Sequence, residues 1–300
     1  MTIEELELAF TNSPVVIYVF IFFVFNLSIA FIDMIVDAVK KKQRRWKDTA
    51  ANMFILFIDQ LISSTAIGGI SIVLLIPFSY LQVQEIPMTA WTWVAAIIAA
   101  DFCNYWMHRT EHKYRFLWAH HSVHHSSEDY NLSIPARMSW VQDYIEWIFL
   151  IPMVLLGFNV FQTVIAFVFV GQYQNWIHTE KIGKLGILDE IFNTPSVHRV
   201  HHGTAKHHLD KNFGGILILW DKMFGTFQRE DEQAIYGLTK NINTNNPFKI
   251  NFIEYKYIWN DVKKCHGIKD KLKLMFGPLD WKPDYWQEQE TGNTTQVVCQ

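Results

Sequence analysis

Twelve of the thirteen histidines in this chain fall between His108 and His208, and eight of them form three short boxes. The first is His108-Arg-Thr-Glu-His112, the second His121-Ser-Val-His124-His125 and the third His198-Arg-Val-His201-His202. On a helix, residues three and four apart share one face, so each box aims its imidazoles in a single direction. Neutral imidazole is the commonest nitrogen ligand and suits iron, zinc and copper. Eight such ligands exceed the four of a tetrahedral zinc site and fit two metal ions with positions left open for chemistry. Scattered core or surface histidines would have to produce the same spacing three times by accident.

The rest of the chain says where such a site lives. Half of the residues are hydrophobic and only 18% are charged, below the roughly 25% of a soluble domain. Residues 15–32 are apolar apart from Asn26 and Ser28, approaching the ~20 residues that span a bilayer. Glu4, Glu5 and Glu7 stand where a signal peptide carries basic residues, and no small-residue cleavage site follows, so a retained span is expected. The run Lys40-Lys41-Lys42-Gln43-Arg44-Arg45-Trp46-Lys47 then belongs on the cytoplasmic side. A net charge of −3 gives no support to a nucleic-acid partner.

Residues 53–80 and 91–107 form two further apolar stretches, and the second leads straight into the first box. The connection 81–90 carries Glu85 and no Lys or Arg, which places it across the membrane from the basic run. Residues 141–176 are apolar but broken by Pro152 and Gly157-Phe158-Asn159. They read as a helical hairpin that enters, returns and delivers the third box to the face of the other two. The expectation is an all-α integral membrane protein with about four to five embedded helices and a cytoplasmic, histidine-rich helical cap. The chain divides into a span and basic loop (1–47), a membrane and di-metal catalytic domain (48–229) and a cytoplasmic extension (230–300). A soluble helical bundle is the alternative, and long regions this poor in charge oppose it. Asp33, Asp37, Asp59, Asp101 and Asp143 are costly in hydrocarbon and are expected at the interface or facing the bundle interior. Asp101 and Asn104 precede His108 closely enough to orient imidazoles, with an interfacial role equally open. Cys103, Cys265 and Cys299 have no motif spacing.

Several words go beyond the boxes. They are Leu117-Trp118-Ala119-His120-His121-Ser122-Val123-His124-His125-Ser126-Ser127-Glu128-Asp129-Tyr130-Asn131, Trp176-Ile177-His178-Thr179-Glu180, Asn193-Thr194-Pro195-Ser196-Val197-His198, Asp210-Lys211-Asn212-Phe213 and Trp220-Asp221-Lys222-Met223-Phe224-Gly225. On these words the chain resembles the fatty acid hydroxylase and sterol desaturase superfamily, and within it the alkylglycerol monooxygenase branch, over roughly residues 50–260. The resemblance implies a di-iron centre in which His108, His112, His121, His124, His125, His198, His201 and His202 are catalytic metal ligands. It also strengthens His178, which follows the hairpin on the same face, as a ninth ligand. It implies dioxygen as co-substrate, tetrahydrobiopterin as electron donor, and a membrane lipid as substrate. Hydroxylation at the ether-linked carbon would give a hemiacetal that collapses to a fatty aldehyde and a glycerol derivative. A reductase or other electron-donor protein is a further expected partner. Zinc can replace iron at nitrogen sites, since affinity favours it. The implied membrane is the endoplasmic reticulum for a eukaryote or the inner membrane for a bacterium.

Lys113 stands where that branch often carries Glu after the second histidine of the first box, and Glu111 faces another way. Longer relatives continue past the point where this chain stops, which bears on substrate choice or assembly more than on the histidine core. A sterol or fatty-acyl desaturase or hydroxylase of the same superfamily is the alternative function, and a non-catalytic membrane metal-binding protein the second. His120 points about 100° away from the second box. His207 and His208 read as solvated, and His266 as a surface residue. Glu128 and Asp129 are candidates to orient ligands, contact a head group or cap a helix. Residues 220–227 lie either on the membrane surface or packed beneath the cap.

Overall fold

The computed structural model describes residues 13–41, 43–63 and 70–286, and is helical throughout, with only isolated β-bridges among the described residues. Glu4, Glu5, Glu7, Lys42, Cys299 and the segment 64–69 lie outside them. Helix α1 (Pro14–Val39) begins on a proline that fits the first helical turn. Its 26 residues extend roughly 39 Å at 1.5 Å per residue, enough for a hydrocarbon core of about 30 Å. Among the described residues it is the one helix long and apolar enough to cross a membrane. Its side chains Ile17, Phe20, Ile21, Phe25, Phe31 and Ile32 are exposed.

The polar residues of α1 form one stripe. Asn26, Asp33 and Asp37 are buried and share a face by their spacing. Asn26 donates to the Gln172 carbonyl at 3.2 Å, while Asp33 and Asp37 accept from Arg44 at 2.8 and 2.9 Å. Lys181 adds ion pairs to both carboxylates, and Arg44 reaches on to Asn131 at 2.6 Å. Arg44 is therefore buried in structure, and only Lys40, Lys41, Arg45 and Lys47 of the described basic run remain exposed.

Residues 53–80 do not form one uninterrupted described helix: α2 (Trp46–Ser63) and α3 (Ile70–Ser79) flank the segment 64–69. Helix α4 (Ala90–Lys113) is started by a reciprocal capping box between Thr89 and Thr92 and carries the first histidine box at its far end. Tyr114 alone, in extended conformation, separates it from α5 (Arg115–His125). That single residue folds the second box back against the first, and α4 and α5 pack together. Residues 141–176 form the expected hairpin in pieces, α6 (Asp143–Glu146), a 3₁₀ turn, α7 (Ile151–Leu156) and α8 (Val160–Asn175). Its corner is Gly157 at φ +110°, where a Cβ would lie 1.9 Å from the Gln84 carbonyl oxygen, so only glycine fits. Helix α8 packs on both α1 and α4, and Leu75, Ala96, Ala100, Met153, Val154, Phe161 and Val170 form the apolar core between these helices.

The third box lies on the short α9 (Pro195–His201), followed by α10 (Leu219–Phe224), α11 (Pro247–Val262) and α12 (Ile268–Phe276). Helix α11 covers the outer side of α5. In the words around Trp220, Phe224 meets Trp106 at 4.9 Å and Trp220 meets Phe102 at 5.0 Å between ring centroids, while Leu219 and Met223 are exposed. Replacing Arg44 by Met should cost on the order of 3 kcal/mol, because two buried carboxylates lose their main partner while Lys181 remains. Thermal unfolding in detergent checks this, and Arg44→Lys should recover part of the loss.

Candidate metal centre

All nine histidines expected as ligands converge, in two adjoining groups. His108, His112, His121, His125 and His201 form the first, and His124, His178, His198 and His202 the second, every one of them buried. The groups touch through His125 and His202, whose rings stack at 4.4 Å, and through His198 and His201 at 5.2 Å. The second and third boxes divide between the groups because neighbours on a helix diverge, so that His124 faces one group and His125 the other, whereas His108 and His112 stay together in the first.

The protein holds the outer nitrogens of several rings. His108 Nδ1 lies 3.0 Å from the Phe213 carbonyl, His178 Nδ1 2.8 Å from that of Gln174, and His201 Nδ1 2.8 Å from that of Lys211. Only an Nδ1–H can satisfy a carbonyl, so in the neutral ring Nε2 is left as a bare lone pair. Two of them, on His178 and His201, face the Nε2 atoms of other rings. His178 Nε2 is 3.1 Å from His124 Nε2 and 3.0 Å from His198 Nε2. His125 Nε2 is 3.1 Å from both His121 Nε2 and His201 Nε2. One proton on His125 could point at only one of its neighbours. A cation at the focus would satisfy all of them, and the spacing is near the roughly 3.3 Å between nitrogens around a tetrahedral ion. His108 Nε2 and both nitrogens of His112 have no hydrogen-bond partner at all. The donor set fits two metal ions held by imidazole.

Burial keeps these rings neutral and ready to bind. It pushes His121, His124, His125, His198, His201 and His202 well below the usual imidazole range, and mutual repulsion of their charged forms pushes further. Burial brings His108 and His178 down to about 3.

Several expected roles are corrected. Asp101 and Asn104 touch no imidazole. Asp101 instead accepts from Ile216 N at 2.6 Å, Leu217 N at 3.0 Å and Trp220 Nε1 at 2.8 Å, while Asp221 accepts from Phe213 N and Gly214 N, both at 2.8 Å. Together they fix the loop whose Phe213 carbonyl holds His108. Gly215 makes this possible, since a Cβ there would lie 2.8 Å from Asp101 Oδ1. Glu128 pairs with Arg45 and Asp129 accepts from Arg45 N, so neither orients a ligand. His207 is exposed, but His208 is fully buried against Asp231, unlike the solvated role expected for it. His266 stacks on Tyr285 away from both groups. His120 joins neither group. Lys113 is exposed, whereas Glu111 is buried with its Oε2 3.2 Å from His121 Nδ1. Glu111 is the contact that box spacing alone does not reveal.

The fatty acid hydroxylase family model matches residues 93–226, which contain every one of these ligand candidates. The chain belongs to the fatty acid hydroxylase superfamily. It is 46% identical over 194 residues to human alkylglycerol monooxygenase, covering 64% of this chain and 43% of that protein. Identity to the Danio rerio alkylglycerol monooxygenase is 46% over 201 residues (66% and 45%), and to the Xenopus tropicalis one 45% over 201 residues (66% and 45%). The chain thus spans less than half the length of these relatives. No solved structure gives a significant match. Family membership together with α1 points to a membrane protein, and with the histidine groups to iron.

Two outcomes test this geometry. His202→Ala should lower bound metal measurably, whereas His207→Ala and His266→Ala should leave it unchanged, as read by elemental analysis. Asp101→Asn should weaken metal retention about 10–100-fold, the usual consequence of loosening what orients a ligand.

Proposed function

We propose that this chain carries the catalytic core of a membrane di-iron monooxygenase that cleaves the ether bond of alkylglycerols, releasing a fatty aldehyde and a glycerol derivative. The eight histidines of the boxes together with His178 would hold the two ions, with zinc able to displace iron on overexpression. When bound, iron would supply oxygen activation and removal of hydrogen from an unactivated carbon, with tetrahydrobiopterin as electron donor or a protein reductase in its place. The observation that carries the reading is the cavity in front of both groups. It has a volume of about 500 Å³ and is lined by His108, His121, His124, His178 and His198 on one wall.

The cavity suits an amphipathic substrate. A second groove of about 580 Å³ runs along α1 and α2, lined by apolar residues such as Phe23, Leu27, Phe31, Met34 and Leu56. The two spaces share Asp59, Gln60, Pro135, Met138, Gln172 and Asn175. An alkyl chain would lie in the apolar groove, while the amides of Gln60, Gln172 and Asn175 offer hydrogen bonds to glycerol hydroxyls at the neck. The imidazoles of His108, His178 and His201, fixed by their carbonyl partners, would keep their positions as substrate enters.

The proposed topology puts the basic run, the boxes and the chain from about residue 185 onward on the cytoplasmic side, and residues 81–90 opposite. The corresponding domains are 1–47, 48–229 and 230–300, in the endoplasmic reticulum of a eukaryote or the inner membrane of a bacterium. Purified protein given an alkylglycerol, oxygen and tetrahydrobiopterin should form fatty aldehyde, and His124→Ala or His198→Ala should abolish it. An olefin without aldehyde would replace this reading by a desaturase. Absence of any oxygen-dependent product with both ions bound would favour a metal-binding protein without turnover.

A further inference from the structure

Glu111, His120 and Glu146 converge beside the histidine groups without belonging to either. One ligand atom from each lies within 4.8 Å of the other two, and the residues are 1%, 1% and 8% exposed. Glu111 comes from α4, His120 from α5 and Glu146 from the hairpin at α6, so three separate elements aim at one point. The polar atoms of His120 and one oxygen of Glu111 are unsatisfied, whereas Glu146 has a side-chain hydrogen bond with Gln142. His120 Nε2 lies 3.3 Å from Glu111 Oε1, but off the line of a hydrogen bond, and both atoms remain without a hydrogen-bond partner, as does His120 Nδ1. Buried polar atoms in this state are rare in folded proteins and call for a missing ligand.

The surroundings are anionic. The side-chain charge bearing most on Glu111 is that of Glu146, and those bearing most on Glu146 are Asp143 and Asp59. Two buried carboxyl groups beside an imidazole would, if ionised, place charge in a site of low dielectric, which protons or a cation must offset. A divalent ion offsets it fully, and a mixed oxygen and nitrogen donor set suits manganese, iron or zinc. Glu111 and Glu146 both border the 500 Å³ cavity, which supplies an entry path and room for water as a further ligand.

We propose that Glu111, His120 and Glu146 form a third cation site that takes one divalent first-row metal ion, apart from the two histidine groups. Glu111 then faces two ways, with Oε1 toward this ion and Oε2 toward His121 Nδ1 at 3.2 Å, so occupancy of the third site steadies a ligand of the first group. The proposal does not depend on the substrate or the reaction.

The test counts metal in the full-length protein in detergent, after incubation with manganese(II) and removal of free ion. His120→Ala and Glu146→Gln should each lose one equivalent relative to wild type, whatever number the histidine groups hold. His202→Ala should lose ions from the groups and keep that equivalent. Because the buried variants could misfold, wild-type crystals soaked in manganese give a second reading that needs no substitution. An anomalous peak among Glu111, His120 and Glu146 is expected. Equal metal content in wild type, His120→Ala and Glu146→Gln would overturn the site, as would crystals with occupied histidine groups and no peak at this triad. So would loss of the extra equivalent on His207→Ala, since His207, His208 and Glu232 form another cluster on the surface.

Discussion

The site depends on one electrostatic constraint: nine imidazoles are buried in two adjoining groups, and seven of them bring ring nitrogens to 3.0–3.2 Å of one another. Without a cation that arrangement is repulsive, so the scaffold must hold it from outside. It does so with groups that cannot easily move. The partners of His108, His178 and His201 are main-chain carbonyls, and the loop carrying Phe213 is clamped by Asp101 and Asp221. Arg137, fully buried, ties the end of α5 to α2 by donating to the Val123 carbonyl, Ser126, Asp48 and Asn52. A carbonyl clamp also selects the tautomer that leaves Nε2 free, so position and protonation are set by the same contact.

The same economy joins membrane and site. Arg44 and Lys181 gather Asp33 and Asp37 of α1, and Lys181 follows His178 by one helical turn's worth of chain. The apolar side of α1 is left outward, and α1 also lines a groove that shares Asp59, Gln60, Gln172 and Asn175 with the cavity beside the histidines.

Much of the centre was legible in the sequence because box spacing is a local property. The separations of three and four residues in each box place imidazoles on one helical face, and all three boxes do lie on helices. The helical hairpin with its corner at Gly157 followed from Pro152 and the polar break. What sequence spacing did not carry was the partition of nine histidines into two groups. That depends on the one-residue turn at Tyr114 and on how α9 docks, and both are tertiary facts. For Asp101 the spacing along α4 leaves open an imidazole-orienting and an interfacial role, and its hydrogen bonds go instead to a loop more than a hundred residues away. His208 was read as solvated from its polar neighbours, but Gly203 lets its ring pack close, with the Nδ1 atom 2.4 Å from where a Cβ would be. Glu111 was visible as a residue and invisible as a contact, because its partners His120 and His121 lie beyond the Tyr114 turn.

The third box and its clamps come late in the chain, at residues 195–202 and 211–213. During synthesis the first two boxes therefore exist for some time as a half-built centre with no Phe213 carbonyl to set the tautomer of His108. Neither histidine group is complete until the chain has been made to His202. A complete set of imidazoles for either ion therefore exists only after the earlier helices have been made.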